Sequence, residues 1–251
     1  MNFSVITVSY NSVLTIAQCC HSVKIQDQPF VEHILIDGGS NDGTVEFLTQ
    51  YAVDNQNVKL ISEPDNGIYN AMNKGLAQAA GDIICILNSD DYFHNLEVLS
   101  SVHKLFELNP ECDAILTSIQ FFNAKGRAVR KVDPKWFRPH RLSYGWMPPH
   151  PGIFMKRSAY ESIGDFREDY KIAADYEFCV RAFLVNRIKY KTFSNITVNM
   201  RLGGVSTDGL LSAATITREI VRACRDNGVR PKLFRLIFRL PLKKILQYYE
   251  R

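Results

Sequence analysis

No apolar run in this sequence comes near the roughly 18 residues that a bilayer-spanning helix requires, so such a helix is not expected. The first residues, MNFSVITVSYN, lack the basic stretch and apolar core of a secretory leader, and the mature chain is expected to start in the cytosol. Six cysteines (Cys19, Cys20, Cys85, Cys112, Cys179, Cys224) show neither CxxC spacing nor a zinc-ligand grouping. Several lie in apolar stretches, so reduced core thiols are expected. Internal repeats and low-complexity linkers are missing too. The body also lacks a basic patch: residues 230–251 hold seven Lys/Arg and one Glu, whereas residues 1–229 carry a net charge of −2. That distribution argues against nucleic acid as the main partner. With 251 residues, 46% hydrophobic and 22% charged, the chain can bury a full core.

What is present centres on Ile83 to Tyr92, IICILNSDDY. Five apolar residues run unbroken to Leu87 and stop at Asn88-Ser89-Asp90-Asp91. A short continuous run suits a strand buried on both faces of a parallel sheet. Two adjacent carboxylates raise each other's pKa, and a divalent cation shared with a substrate diphosphate relieves that cost. In open α/β sheets, ligands bind outside the carboxyl ends of the strands. Asn, Ser and Asp also form solvated turns, which is the other reading of this stretch on its own.

Strands are predicted over 3–10, 31–37 and 57–63. The helix predicted after the first is capped by Asn11-Ser12 and has Leu14, Ile16, Ala17, Cys20 and Val23 on its apolar face. Two more follow over 45–52 and 67–80, the latter with Gly81 as its C′ residue. This alternation predicts βαβ units and a parallel sheet. The strands end in polar residues (Ser9 to Asn11, Asp37, Glu63 to Asp65, Asp90-Asp91), which would fall on one edge of the sheet. Beyond Asp91 the pattern predicts a helix near 96–108, a strand over 113–122 and an insertion of hairpin character over 123–150. A helix over 173–186, strand pairs over 188–200 and helices over 212–226 and 233–249 complete it. The expected division is an α/β catalytic domain over 1–206 and a C-terminal helical extension over 207–251.

Seven segments carry a resemblance: ITVSYN (Ile6–Asn11), IDGGSNDGT (Ile36–Thr44), EPDNGIYNAMNKG (Glu63–Gly75), LNSDD (Leu87–Asp91), HPGIFMKRSAYESIGDF (His150–Phe166), KIAADYEFCVR (Lys171–Arg181) and RLGGVS (Arg201–Ser206). In order and spacing they resemble the inverting family-two glycosyltransferases, whose nucleotide-sugar-binding α/β fold is called GT-A. They look most similar to the non-processive enzymes of O-antigen and colanic-acid-like polysaccharide assembly. The QxxRW-type motif of the processive synthases is missing.

The resemblance implies a central, mostly parallel sheet flanked by helices, and it implies site roles. Thr7, Ser9 and Asn11 would border the uridine pocket, and Asp37 would accept a hydrogen bond from uracil, unless it only initiates the Gly38-Gly39 turn. Gly38 stands where relatives often carry a second acid. Asp65 and Asn66 would lie near the nucleotide or donor sugar, or simply cap the next helix. Asp91 would ligate Mn2+ or Mg2+, while Asp90 would contact ribose, sugar or a metal-bound water; Asn88 replaces a frequent Asp. Asp175 matches the general base, with Ala174 where relatives have Glu; a capping role at Tyr176 is the alternative. His150 falls near the acceptor site or is a structural turn residue. Gly203 to Ser206 would form a flexible loop over the donor, or a plain turn.

The tail alternates Leu233, Phe234, Leu236, Ile237, Leu240, Ile245, Leu246, Tyr248 and Tyr249 with Arg235, Arg239, Lys243 and Lys244. Basic amphipathic helices bind anionic membrane surfaces, and the alternative is a helix packed on the domain. The expected activity is metal-dependent, inverting transfer of a hexose from UDP-galactose, UDP-glucose or UDP-GlcNAc. The expected acceptor is a polyprenyl-diphosphate-linked saccharide of lipopolysaccharide or exopolysaccharide biosynthesis. The chain would work in the cytoplasm, peripheral to the inner face of the membrane. Two other readings are a sugar nucleotidyltransferase, whose glycine-rich phosphate loop is missing, and a non-catalytic nucleotide-sugar-binding module.

Overall fold

The computed structural model describes residues 1–123, 125–202 and 209–232, with side chains of the last segment from residue 212. Its first half alternates strand and helix as the sequence predicts. The elements are β1 (Phe3–Ser9), α1 (Ile16–Lys24), β2 (Val31–Asp37), α2 (Thr44–Val53), β3 (Val58–Ser62), α3 (Ile68–Gln78) and β4 (Ile83–Ile86). The second half comprises β5 (Tyr92–Phe93), α4 (Val98–Leu108), β6 (Ala114–Phe122), β7 (Ala128–Val132), β8 (Ile153–Lys156), α5 (Arg157–Ile163), α6 (Ala174–Val180), β9 (Tyr190–Arg201) and α7 (Gly209–Asp226). No helix among the described residues is long and apolar enough to cross a membrane.

The nine strands among the described residues form one sheet in the order β3-β2-β1-β4-β8-β6-β9-β5, with β7 paired to β6. β1 to β4 pair in parallel, and β8 joins antiparallel to both β4 and β6. The α/β class therefore stands, with a parallel half and a mixed half. Alternation along β4 explains why its apolar run is unbroken. Ile84 and Ile86 enter the core shared with α3, α5, α6 and α7, while Ile83, Cys85 and Leu87 enter the core beneath α1 and α4. All six cysteines are buried free thiols.

Several expectations are corrected. Asn11 and Ser12 offer α1 no side-chain cap; the Ser12 carbonyl accepts from the Thr15 and Ile16 amides, and Leu14 is exposed. The strand pairs expected over 188–200 are a single strand, β9, which pairs in parallel with β6 and antiparallel with β5. The helix expected through Asn186 widens after Val180 into a π turn over Arg181–Val185. α7 falls in the expected C-terminal helical extension, and its Ile220, Ala223 and Cys224 pack into the same core as Ile6 and Phe178. The basic tail from residue 233 and the Gly203–Ser206 loop lie outside the described residues.

Gly81 is not a C′ residue, because α3 ends at Gln78 with Ala79 extended. Close packing accounts for this glycine instead. A Cβ on Gly81 would stand 2.7 Å from backbone atoms of Phe3 and Ser4. Its amide donates to Ser4 Oγ (2.8 Å) and Glu32 Oε1 (3.0 Å), which fixes the entry into β4. Gly81→Ala is expected to destabilise the fold by about 1–3 kcal/mol, as overpacking does. A lower urea midpoint at unchanged m-value would report it.

Candidate functional site

The parallel half brings three carboxyl strand ends into register, with Ser9 beside Asp37 and Asp37 beside Ser62. Asp37 has no exposed surface, and five donors surround its carboxylate. Ser9 Oγ (3.1 Å) and Ser40 Oγ donate to Oδ1. The Gly39 and Ser40 amides (3.0 and 2.9 Å) and Ser62 Oγ (3.0 Å) donate to Oδ2. With this set in place Asp37 ties the three strand ends together and, through Gly39 and Ser40, closes the Gly38-Gly39 turn that was the alternative reading of this residue. Thr7 is corrected. It is fully buried, and its hydroxyl meets His33 Nε2 (3.0 Å) and Cys19 Sγ (3.7 Å), so it borders no crevice.

Asn11 remains exposed in a left-handed conformation (φ 48°). It locks two loops together: its amide donates to Ser40 Oγ (2.8 Å), and its Oδ1 accepts from the Asn41 amide (3.0 Å). Asp65 reaches over the same turn. A Cβ on Gly38 would lie 2.5 Å from Asp65 Oδ2, so the glycine makes room for this carboxylate. Asp65 Oδ1 accepts from the Gly67 amide (2.8 Å), just ahead of α3, while Asn66 is exposed and its amide meets Asn70 Oδ1 at 3.4 Å. Neither residue caps α3, whose N-terminus has no side-chain cap.

A second cluster forms where β4 ends. Asp91 is 1% exposed, and its Oδ1 has no hydrogen-bond partner. Asn88 Oδ1 is likewise buried and unpartnered, and Asn88 Nδ2 reaches Asp91 Oδ2 at 3.4 Å. Buried polar atoms without partners are uncommon and call for an unseen ligand or ion. Burial first, and the neighbouring Asp90 charge second, hold the Asp91 carboxyl well above its ordinary pKa; burial also raises Asp90. Oxygen atoms alone make up this donor set, which fits a hard divalent cation completed by diphosphate and water oxygens. No group of three or more His, Cys, Asp or Glu side chains converges among the described residues.

Sequence reasoning overlooked Arg201 here. The two-residue β5 pairs with β9 and carries the end of β9 to this acid pair. The Arg201 charge works against the upward shifts of Asp90 and Asp91, and its guanidinium also bonds Gln18 Oε1. The RLGGVS segment contains this arginine, but only strand pairing reveals its neighbours.

The third cluster surrounds Asp175 in the first turn of α6. Burial pushes its pKa up to about 6, and Glu219 of α7 adds to the rise; the Tyr176 amide and its own act in the opposite direction. Its Oδ1 accepts from the Tyr176 amide at 2.7 Å, a local contact within the first turn of the helix. Tyr69, at the start of α3, donates its hydroxyl to the Ile172 carbonyl and stacks on Phe166 (centroids 6.1 Å apart). His150 packs edge-on against the same Phe166 (5.6 Å), and burial lowers its pKa to about 4. It is therefore a neutral imidazole near pH 7, and no hydrogen bond joins it to Asp175 among the described residues.

A sequence profile described as glycosyl transferase family 2 matches residues 4–170. An uncharacterized glycosyltransferase of Mycobacterium tuberculosis is 35% identical over 184 residues, covering 72% of this chain and 69% of the relative. A PGL/p-HBAD biosynthesis glycosyltransferase of Mycobacterium bovis is 27% identical over 186 residues, with the same shares covered. Among solved structures, S. aureus TarS 1-349 in complex with UDP-GlcNAc aligns over 89% of this chain with a TM-score of 0.69 and 24% identity. The mannosyltransferase PcManGT from Pyrobaculum calidifontis, in complex with GDP-Man and Mn2+, aligns over 90% with a TM-score of 0.68 and 19% identity. The aligned parts span 66% and 63% of those two chains, slightly under two thirds of each. At such identities the likeness is one of fold.

Proposed function

The chain belongs to glycosyl transferase family 2, and from that premise we propose that it transfers a hexose from a UDP-sugar to a lipid-linked saccharide with inversion. The observation that carries this reading is the unpartnered Asp91 oxygen beside Asp90, at the carboxyl end of the central parallel strand. A diphosphate-bound cation is the ligand that such a place suits.

Donor binding is assigned to the loops that Asp37 ties together, with Ser9, Asn11, Asp65 and Asn66 at or beside the nucleotide wall. Asp91 and Asn88 would hold Mg2+ or Mn2+, and Asp90 would face ribose, sugar or a metal-bound water. When bound, the cation supplies Lewis-acid neutralisation of charge on the departing UDP. Arg201 adds a fixed positive charge on the same side. On the acceptor side, Asp175 takes the proton of the attacking hydroxyl. A carboxyl with a pKa of about 6 is ionised at neutral pH yet basic enough to act there. Attack and departure occur in one displacement, so the anomeric configuration inverts without a covalent intermediate. His150 serves by packing behind Phe166.

Docking on the anionic cytoplasmic face of the membrane, where the lipid-linked acceptor sits, is assigned to the basic amphipathic tail. A GDP-sugar donor is the second reading, favoured by the likeness to PcManGT with GDP-Man. Purified protein incubated with a GlcNAc-diphosphate-lipid analogue and a panel of UDP-sugars is expected to release UDP with one hexose preferred. GDP release from GDP-mannose alone would turn the assignment to the second reading. Pyrophosphate release would make it a nucleotidyltransferase.

A further inference from the structure

Glu219 lies in α7, beyond the residues matched by the family profile. It is almost fully buried at 8% exposure. Its Oε1 accepts from the Lys171 amide (2.7 Å), and its Oε2 accepts from those of Ile172 (3.0 Å) and Ala173 (2.9 Å). A buried carboxylate is costly unless donors surround it, and three converging amides answer that need. Ala173 is the residue preceding α6, and its own side chain gives that helix no cap. From the opposite side, the Tyr69 hydroxyl grips the Ile172 carbonyl. The turn leading to Asp175 is thus clamped between α3 and α7.

We propose that Glu219 is the positioning residue of the catalytic base, holding the 171–173 turn from which α6 presents Asp175. This inference rests on Asp175 being the base. It means that both the base on α6 and its support on α7 lie beyond the profile-matched residues. Position 174, just before the base, is a fully buried alanine and offers no acid of its own. The acid contributed from α7 touches backbone on the Asp175 turn and adds its charge to the base's surroundings. Among the described residues the titratable groups interacting with Asp175 are Tyr69 on α3, Glu219 on α7 and Cys179 on α6, none of them a cation.

Glu219→Gln keeps the side-chain size and removes the charge. It is expected to lower kcat by on the order of 10²-fold through a misplaced base, with KM for the UDP-sugar nearly unchanged. The acid limb of the kcat–pH profile should move to lower pH, because a negative charge that raised the Asp175 pKa is gone. Hydrogen exchange at the amides of Lys171, Ile172 and Ala173 should accelerate more than at the β1 amides. A purely structural helix contact would lower the melting temperature but leave the pH limb in place. Unchanged kcat, or a reduced kcat with an unmoved limb and protected amides, overturns the proposal. If Glu219→Gln does not fold, Tyr69→Phe releases the turn from its other side; normal kcat and normal exchange in that variant would overturn the clamp. Failure of the base assignment reads differently: Asp175→Asn would then turn over normally, while the exchange arm would still report on the turn.

Discussion

Asp175→Asn lowers kcat by about 10²–10⁴-fold, the usual contribution of a positioned general base. The variant keeps the Oδ1 that accepts from the Tyr176 amide, so α6 loses no local contact. What disappears is the capacity to take a proton. UDP-sugar affinity and melting temperature should therefore change little, which marks a loss confined to the transition state. A residue that only caps would behave differently, because Asn caps as well as Asp. In the wild type, kcat should fall as pH drops through about 6, since protonation there removes the base. The sign follows from the raised pKa, which moves the acid limb up from the ordinary carboxylate range. Steady-state rates between pH 4.5 and 8, with the linkage of the product determined by NMR, test both parts. Normal turnover in Asp175→Asn would move the base elsewhere, and retained anomeric configuration would refute single displacement.

Asp91→Ala, or excess chelator on the wild type, is expected to cut transfer by about 10³-fold. That is the effect of losing the several kcal/mol of charge stabilisation that a bound cation provides. A readout independent of turnover is the affinity for UDP measured by calorimetry: added Mn2+ should tighten it in the wild type and not in Asp91→Ala. Full turnover in chelator would remove the metal role. Stability should move in the opposite direction. Asp91 is buried with an oxygen that bonds nothing in the protein, and Asp90 stands beside it. Asp91→Asn is therefore expected to raise the melting temperature of the metal-free protein, because the buried charge is gone at nearly constant volume. A lower melting temperature would mean that the carboxylate is satisfied in a way these contacts do not include.

The parallel half of the fold was legible because each of its strands is a short apolar run bounded by turn formers. β2 begins and ends where that pattern predicts, and β1, β3 and β4 differ by a residue or two. β9 was misread because its exposure is irregular and its register with β6 shifts twice, which hides a continuous strand in the sequence. β5 is too short to produce a period at all. Among site residues, acids at strand ends were identifiable by type and place. Of the five donors around Asp37, the three from Gly39 and Ser40 follow from the turn readable in the sequence, whereas Ser9 and Ser62 are brought in only by strand pairing. Thr7 was assigned to the crevice because its position along β1 was right; only the sheet's faces determine that it looks toward His33. Glu219 had no sequence signal whatever, since its partners lie 46 to 48 residues earlier.

The enclosed thiols have a practical consequence for studying turnover. Burial pushes the pKa of every cysteine in the chain upward, Cys20 to about 12. Thiolate is the form that alkylating reagents attack, so all six should label slowly while the fold is intact. The native sequence is thus already a quiet background for site-specific chemistry. A single cysteine introduced at an exposed position such as Tyr10, next to the Asn11 lock, would be the fastest-reacting thiol on the molecule. A fluorophore there could follow donor arrival in real time, with no endogenous residue first removed.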